Sequence, residues 1–289
     1  MASTQQLKSR IRSVKSTKQI TKAMQMVAAS KMRRAQEATK SSQAYTVAAR
    51  ELLTYLAAQG ATNGHKWFTV RPVKSRLLIA VASDKGLAGA YNANILKAYV
   101  RELKADDAAN IANKTIAVGR KIAQAATRIK DTEIVGTYED LPDHFSGAEF
   151  HAILNTAKDM FEANQVDAVD VIFTRFVSSL TQRADVVRLF PAGFTPTDNV
   201  QPDIAEARFE PSPKQIIDDI AYRLISARLF QALTDSRASE HSMRMLAMKN
   251  ATDNAADLVD ALTLEMNKAR QAAITQELTE ISAGVEAMQ

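Results

Sequence analysis

The chain contains no cysteine, and its 289 residues include only 9 glycines, 7 prolines and 17 aromatics. Without thiols it cannot be a disulfide scaffold, a zinc site with cysteine ligands or a thiol enzyme. Its four histidines, His65, His144, His151 and His241, stand apart and show no paired metal-ligand spacing. Long apolar runs are missing too. The longest, Leu77 to Ala82, is far shorter than the roughly 20 residues needed to span a bilayer. A hydrophobic content of 46% is nevertheless enough for a folded chain.

The scarce residues are also unevenly placed. Residues 1–59 hold no glycine and no proline, and neither do residues 214–283. Every proline, every glycine except Gly284, and 13 of the 17 aromatics lie between Gly60 and Pro213. The chain therefore reads as two helical arms, 1–59 and 214–289, around a middle segment, 60–213. Acidic residues are absent from the first 36 positions, which carry nine Lys and Arg. That composition also fits a transit peptide, but the breaker-free pattern runs past the usual length of one, to Gln59. Residues 1–59 carry 11 basic and 2 acidic side chains, the middle 18 and 19, and residues 214–289 carry 8 and 11. The net charge of +5 thus belongs to one basic arm.

Alanine, the best helix former, dominates both arms. In the first, Leu7, Ile11 and Val14 begin a 4-3 spacing. It continues through Thr21, Ala28, Met32, Ala35, Ala49, Leu53 and Leu56. A second line, Ile20, Met24 and Val27, matches the drift of a 3.6-residue helix against a 3.5 repeat. In the last arm the apolar positions come first in pairs: Ile216/Ile217, Ile220/Ala221, Leu224/Ile225 and Leu229/Phe230. A stripe of Ala247, Ala251, Ala255, Leu258, Leu262, Met266, Ala269 and Ala273 follows. Ser212-Pro213-Lys214-Gln215 marks the start, with a capping Ser, Pro at the first helical position and Gln at the third. Helices of these lengths reach roughly 90 and 105 Å, whereas a globular middle has a radius of gyration of about 15 Å. The arms must project and cover each other, which predicts a slim antiparallel two-helix coiled coil.

In the middle the period changes. Strands are expected at Leu77–Ala82, Thr115–Val118, Glu133–Tyr138, Val169–Phe176 and Ala184–Phe190. Helices are expected at Asn92–Lys104, Arg120–Ile129 and Ala148–Ala163. Strand–helix alternation argues for a largely parallel sheet with flanking helices, closed by a hairpin with its turn near Ser178–Gln182. The stretch from Pro191 to Pro213, with five of the prolines, reads as irregular chain returning to the last arm.

Ser83 to Asn92 (SDKGLAGAYN) is a Gly-containing strand-to-helix turn, the place where nucleotide folds bind phosphate. It is neither GxGxxG nor a P-loop, so Gly86 and Gly89 read as residues the turn geometry needs. The basic run Lys8, Arg10, Arg12, Lys15, Lys18, Lys22, Lys31, Arg33 and Arg34 admits three readings: a nucleic-acid face, a solvated helix face, or a surface for an acidic protein partner. The acidic pairs Asp106/Asp107, Glu139/Asp140 and Asp218/Asp219 read as solvated surface. Methionines 24, 26, 32, 243, 245, 248 and 266 fit adaptable filler in a slim coiled coil, or a sliding surface.

Three segments are more specific. ITKAMQMVAASKMRRA (Ile20 to Ala35), SDKGLAGAYN, and the last arm's MRMLAMKNATDN (Met243 to Asn254) with NKARQAAITQELTEI (Asn267 to Ile281) closely resemble the gamma subunits of F-type ATP synthases. The resemblance covers essentially the whole chain. It departs at Ala88, where the family usually has Cys, and at Met266, where it usually has Tyr. It implies an antiparallel coiled-coil shaft plus a Rossmann-like α/β domain not known as a nucleotide site. It also implies the role of central rotor shaft, in one copy per complex, transmitting ion-driven rotation of the c-subunit ring to the catalytic alpha and beta hexamer. The partners implied are alpha, beta, epsilon and the c ring, with no nucleic acid, no cofactor and no metal. The chain would be a peripheral, non-catalytic subunit on the cytoplasmic face of a bacterial cell membrane. By motif matching, the contact residues are Met24, Arg244, Arg270, Gln271 and Thr275, with Lys31, Arg33 and Arg34 as further candidates. Arg270-Gln271 resembles the family's catch against a beta loop. Leu278, Ile281, Val285 and Met288 would sit in the bearing at the top of the hexamer.

Overall fold

The structure is a computed structural model that describes residues 4–58, 60, 62–130, 132–142, 147–193 and 212–286, apart from the side chains of 41–46, 148–149, 213–215 and 284–286. Its elements in chain order are α1 (Thr4–Ala58), β1 (Ser75–Val81), α2 (Tyr91–Ala108), β2 (Ala112–Val118), α3 (Arg120–Ala126), β3 (Glu133–Tyr138), α4 (Ala148–Glu162), β4 (Ala168–Phe176), β5 (Gln182–Phe190) and α5 (Pro213–Glu286). Both arms are continuous helices, and α5 starts at the proline its capping signal marks. Most of the stretch between Pro191 and Pro213 lies outside the described residues.

The chain packs into two compact units, residues 1–28 with 244–289, and residues 29–243. In the larger unit the sheet order is β3-β2-β1-β4-β5. β1 pairs in parallel with β2 and β4, β2 with β3 in parallel, and β5 closes the edge antiparallel to β4. One face of the sheet, including Leu77, Ile79, Val169, Val171 and Phe173, packs on Leu154, Ala157 and Phe161 of α4 and on Ala221, Ile225 and Leu229 of α5. The other face, with Leu78, Ala80 and Ala117, packs on Ile95 and Tyr99 of α2 and Ile122 of α3. The sheet is covered on both faces, in keeping with the apolar run of β1 and with the unbroken burial of β4 from Ala168 to Thr174, Asp170 included.

The doubled apolar pairs of α5 now have a cause. Ile217 and Leu224 pack against Leu53 and Leu56 of α1, while Ala221, Ile225 and Leu229 face the sheet. A helix buried on two sides needs two stripes.

In the smaller unit α1 and α5 pair antiparallel. Leu7 and Ile11 meet Leu262, with Val14, Val259, Met266 and Ala269 around them. Fourteen residues further along α1, the buried Thr21 Oγ1 lies 2.8 Å from Thr252 Oγ1. In this unit the buried positions of α1 are Leu7, Ile11, Thr21 and Ala28; with the half-buried Val14, all but Ile11 fall on a seven-residue repeat. This differs from the sequence expectation of a second apolar line. Ile20 and Val27 are 58% and 56% exposed, and Met24 is half-buried. The buried face repeats every seven residues, so the drift expected of a straight helix does not appear in its burial. The α5 stripe is likewise shifted by one position in part. Met248, Thr252, Ala255 and Leu262 are buried with Val259 half-buried, whereas Leu258 is 48% exposed.

Candidate functional site

The carboxyl edge of the sheet is where an open α/β fold binds ligands, at the point where strand order reverses, here between β1 and β4. This chain fills that crevice with its own groups. Asp84, in the turn after β1, accepts hydrogen bonds from the backbone N–H of Arg120 at 3.0 Å and of Asp140 at 3.1 Å. A carboxylate thus occupies the amino end of α3, where a phosphate would go. Arg237 of α5 stands 4.0 Å from Asp84 and donates to the Leu141 carbonyl at 2.7 Å. Ser236 Oγ accepts from the Thr174 N–H at 3.1 Å, and Ser239 Oγ donates to the Thr174 carbonyl at 3.2 Å. The space left among Asp84, Tyr91, Gly119, Arg237 and Glu240 is about 10 Å³, no more than one water.

Within SDKGLAGAYN, Asn92 Oδ1 accepts from Ser83 N–H at 3.1 Å and Ser83 Oγ at 2.9 Å, which locks the turn to the start of α2. Gly89 takes the left-handed backbone at φ +55°, as the sequence reading requires. Gly86 does not: the left-handed residue beside it is Leu87, at φ +62°, and a Cβ on Gly86 would meet open space. The glycine with the strictest requirement, Gly119, lies outside the motif. At φ +98° a Cβ there would fall 2.2 Å from the Ala82 carbonyl oxygen. Only its place between a strand and a helix hints at it in the sequence.

One acidic pair is likewise corrected. Asp106 is not solvated surface but buried, paired with Arg76 at 3.0 Å. Arg76 also donates to Asp170 at 2.5 Å and to Glu102 at 3.1 Å, and Arg188 reaches the same Asp170. Burial pushes the Asp106 carboxyl up, and Arg76 pulls it back only in part. This network ties α2 to β1, β4 and β5. Exposed Arg120 engages Glu139 and Asp140, and His65 engages Asp218 at 2.5 Å. Among the described residues no group of His, Asp and Glu is arranged to hold a metal, and no helix is long and apolar enough to cross a membrane.

The residues matched by motif as contact candidates stand on the helices instead. Met24, Lys31 and Arg244 are half-buried, and Arg33 and Arg34 are exposed. In the smaller unit, the Thr21–Thr252 pairing sets Met24 level with the turn before Thr252, and Arg244 lies about two turns earlier on α5. Arg270, Gln271 and Thr275 are exposed, with Thr275 Oγ1 donating to its own helix at the Gln271 carbonyl, 2.9 Å away. Leu278 and Ile281 are 60% and 64% exposed, on one face with the half-exposed Ile274. The side chain of Val285 and all of Met288 lie outside the described residues. The cause of this exposure is register. With Leu7 opposite Leu262 and α1 beginning at Thr4, α5 beyond about Ala269 has no partner helix among the described residues. Residues 270–283 are exposed without interruption.

The family model described as ATP synthase matches residues 3–288. ATP synthase gamma chains of Desulforamulus reducens, Macrococcus caseolyticus and Staphylococcus carnosus are 38%, 37% and 34% identical, with the whole of this chain and of each relative covered. Among solved structures, a Euglena gracilis mitochondrial ATP synthase chain (OSCP/F1/c-ring) aligns with a TM-score of 0.68 at 17% identity, covering 99% of this chain and 94% of its own. A Tetrahymena thermophila mitochondrial ATP synthase central stalk/c-ring chain aligns at 0.61 and 23% identity, covering 80% and 99%. The two structures speak for the fold, and the full-length relatives for the family. With a match from residue 3 to residue 288 and relatives a third or more identical throughout, the chain belongs to the ATP synthase gamma-chain family.

Proposed function

We propose that this chain works as the central rotor shaft of an F-type ATP synthase, carrying ion-driven rotation of the c ring to the alpha and beta hexamer, and in reverse during hydrolysis. The observation that carries the reading is the final stretch of α5, residues 270–283, exposed on every side and studded with Ile274, Leu278 and Ile281. An exposed helical stretch bearing apolar residues at helical spacing is completed by a partner that covers it. The packing above fits a subunit that transmits force rather than makes bonds. Its fold's ligand crevice is filled by Asp84 and Arg237, so the catalytic residues belong to the partners.

In this reading, Arg270, Gln271 and Thr275 meet the beta subunits, as do Met24 and Arg244. Leu278, Ile281 and Val285 turn in the apolar bearing. Lys31, Arg33 and Arg34 present positive charge to acidic segments of beta, an attraction that tolerates rotation better than a buried bidentate pair. The α/β segment, 60–213, meets epsilon and the c ring. The helical segments, 1–59 and 214–289, form the shaft, in one copy per complex on the cytoplasmic face of the membrane. The reading of the basic arm as a nucleic-acid face finds no support among the relatives.

Expression with alpha and beta tests this: the chain should co-purify as one copy per hexamer, and its absence from the hexamer would overturn the reading. Arg270→Ala should lower coupled ATP turnover several-fold. It should change the chain's own stability by less than about 0.5 kcal/mol, because the side chain is exposed. Normal coupled turnover would remove Arg270 from the contact set.

A further inference from the structure

A cavity lies between the first turns of α4 and the middle of α5's domain-bound part. It measures about 500 Å³ and is lined by Phe150, His151, Tyr222, Ser226, Ala227 and Phe230, with Asp219 and Arg223 at its edge. The sequence makes it directly. On α5, Tyr222 and Phe230 stand two turns apart on one face, and the two residues between them on that face, Ser226 and Ala227, are small. Two aromatic walls therefore flank a low floor, and Phe150 and His151 form the opposite side.

The walls are fixed in place. Tyr222 Oη donates to Asn155 Oδ1 at 3.0 Å, so the hydrogen bond between His151 Nδ1 and Tyr222 Oη, also 3.0 Å, has the histidine as donor. The His151 and Tyr222 rings lie within 8° of parallel. Phe150 meets Phe230 edge-on, with centroids 5.6 Å apart. The floor carries an unanswered polar group. Ser226 is 8% exposed, and its Oγ has no hydrogen-bond partner. It does not fold back onto its own helix, as Thr234 does onto the Phe230 carbonyl at 3.0 Å. A buried hydroxyl without a partner is an energetic liability that a bound oxygen would remove.

We propose that this cavity binds a small planar aromatic molecule of one or two rings that carries a hydroxyl or carbonyl oxygen. The rings fill the space between Phe150, Tyr222 and Phe230, where offset and edge contacts are available on three sides. The oxygen pairs with Ser226 Oγ. The site is independent of the rotor reading, since none of its residues belongs to the shaft contacts.

The probe is 2-naphthol, titrated into the full chain and followed by ligand saturation transfer and intermolecular NOEs. We expect one saturable site with Kd on the order of 100 µM, and NOEs from the probe to the ring protons of Phe150, Tyr222 and Phe230. Ala227→Trp, which fills the cavity, should abolish binding. Ser226→Ala should weaken it by about threefold to tenfold. Naphthalene, which lacks the oxygen, should bind more weakly than 2-naphthol and be indifferent to Ser226→Ala. No saturation by ~1 mM, unchanged binding to a folded Ala227→Trp chain, or NOEs to other residues would each overturn the site. Should Ala227→Trp fail to fold, the NOEs in the unaltered chain decide alone. Equal loss or equal retention of both probes in Ser226→Ala would overturn the role given to the hydroxyl.

Discussion

The two packing units share the same pair of helices and bury very different things. In the α/β unit the fully buried side chains include Tyr91, Tyr99, Phe161 and Phe190, and α5 is covered on two faces between Ile217 and Leu233. In the helical unit α5 is covered on one narrow stripe, with Ala255, Leu262 and the hydroxyl-bearing Thr252 on it, and beyond residue 270 on none. One helix thus passes through three environments, and its local sequence follows each: doubled apolar pairs, then a single 4-3 stripe, then a run exposed all round. The difference teaches where stability and where slenderness come from. A wide aromatic core anchors one unit. A single stripe of aliphatic and small residues holds the other, and buries little apolar area.

The sharpest way to break that comparison is to strike the anchor. Gly119→Ala puts a Cβ at 2.2 Å from the Ala82 carbonyl in a backbone conformation side chains rarely adopt. We expect a loss of roughly 4 kcal/mol or more in the α/β unit, read as a collapse of its near-UV signal. A variant that melts like the parent would mean that the turn between β2 and α3 has room the geometry denies.

A second strike uses pH. Asp235 is 6% exposed, and burial pushes its carboxyl up to about 6, with Arg175 offsetting this only in part. The folded chain therefore holds this proton more tightly than the unfolded one, whose value is near 3.8. Stability from this group is complete below about pH 4 and is lost as pH rises through 6. Asp235→Asn should therefore gain up to about 3 kcal/mol above pH 7 and nothing near pH 4, measured by urea unfolding at several pH values. A gain that does not depend on pH would show that the carboxylate is solvated or paired.

In the helical unit the corresponding large-to-small change is milder. Leu262→Ala removes the one large α5 side chain fully inside the Leu7–Ile11 cluster. It should cost about 2 kcal/mol, at the low end for leucine because a thin pair of helices can close over the gap. Amide exchange should quicken near residues 7–14 and leave β1 and β4 unchanged. Equal loosening of the strands would erase the distinction between the units.

Much of this architecture is legible in the sequence, and the exceptions have physical reasons. The breaker-free ends, the five strands and the hairpin follow from period and from punctuation. β2 begins at Ala112 rather than Thr115 because pairing with β1, from Ser75 opposite Ala112 onward, carries the strand through residues with no strand pattern of their own. Asp106 reads as surface beside Asp107, since its partner Arg76 is 30 positions away. Leu258 reads as seam because it is larger and more apolar than its neighbours, but it is Val259 that turns toward the partner helix. The proposed contact residues are legible only as motifs. Arg270 and Gln271 are exposed, and no packing pattern marks a residue that works on a partner.

The smallest expected effect tests whether the seam of the helical unit is specified by its hydroxyls. Thr21 Oγ1 lies 3.0 Å from the Lys18 carbonyl, Thr252 Oγ1 lies 2.7 Å from the Met248 carbonyl, and the two hydroxyls lie 2.8 Å apart. These three contacts have two protons to share, so one of them is weak whichever way the hydroxyls rotate. Thr21→Val alone leaves Thr252 facing a methyl group across the seam but still able to satisfy itself on Met248. It should cost at most about 1 kcal/mol. Thr252→Val should cost about the same. The double variant replaces the pair by two apolar groups of the same shape, and should cost less than the sum of the two, measured as a double-mutant cycle on amide exchange of α1 residues 15–25. Strict additivity would mean that the hydroxyls do not act as a pair and that shape alone sets the register. A cycle with coupling near 1 kcal/mol would mean that a buried polar contact does for this slim seam what aromatic packing does for the domain.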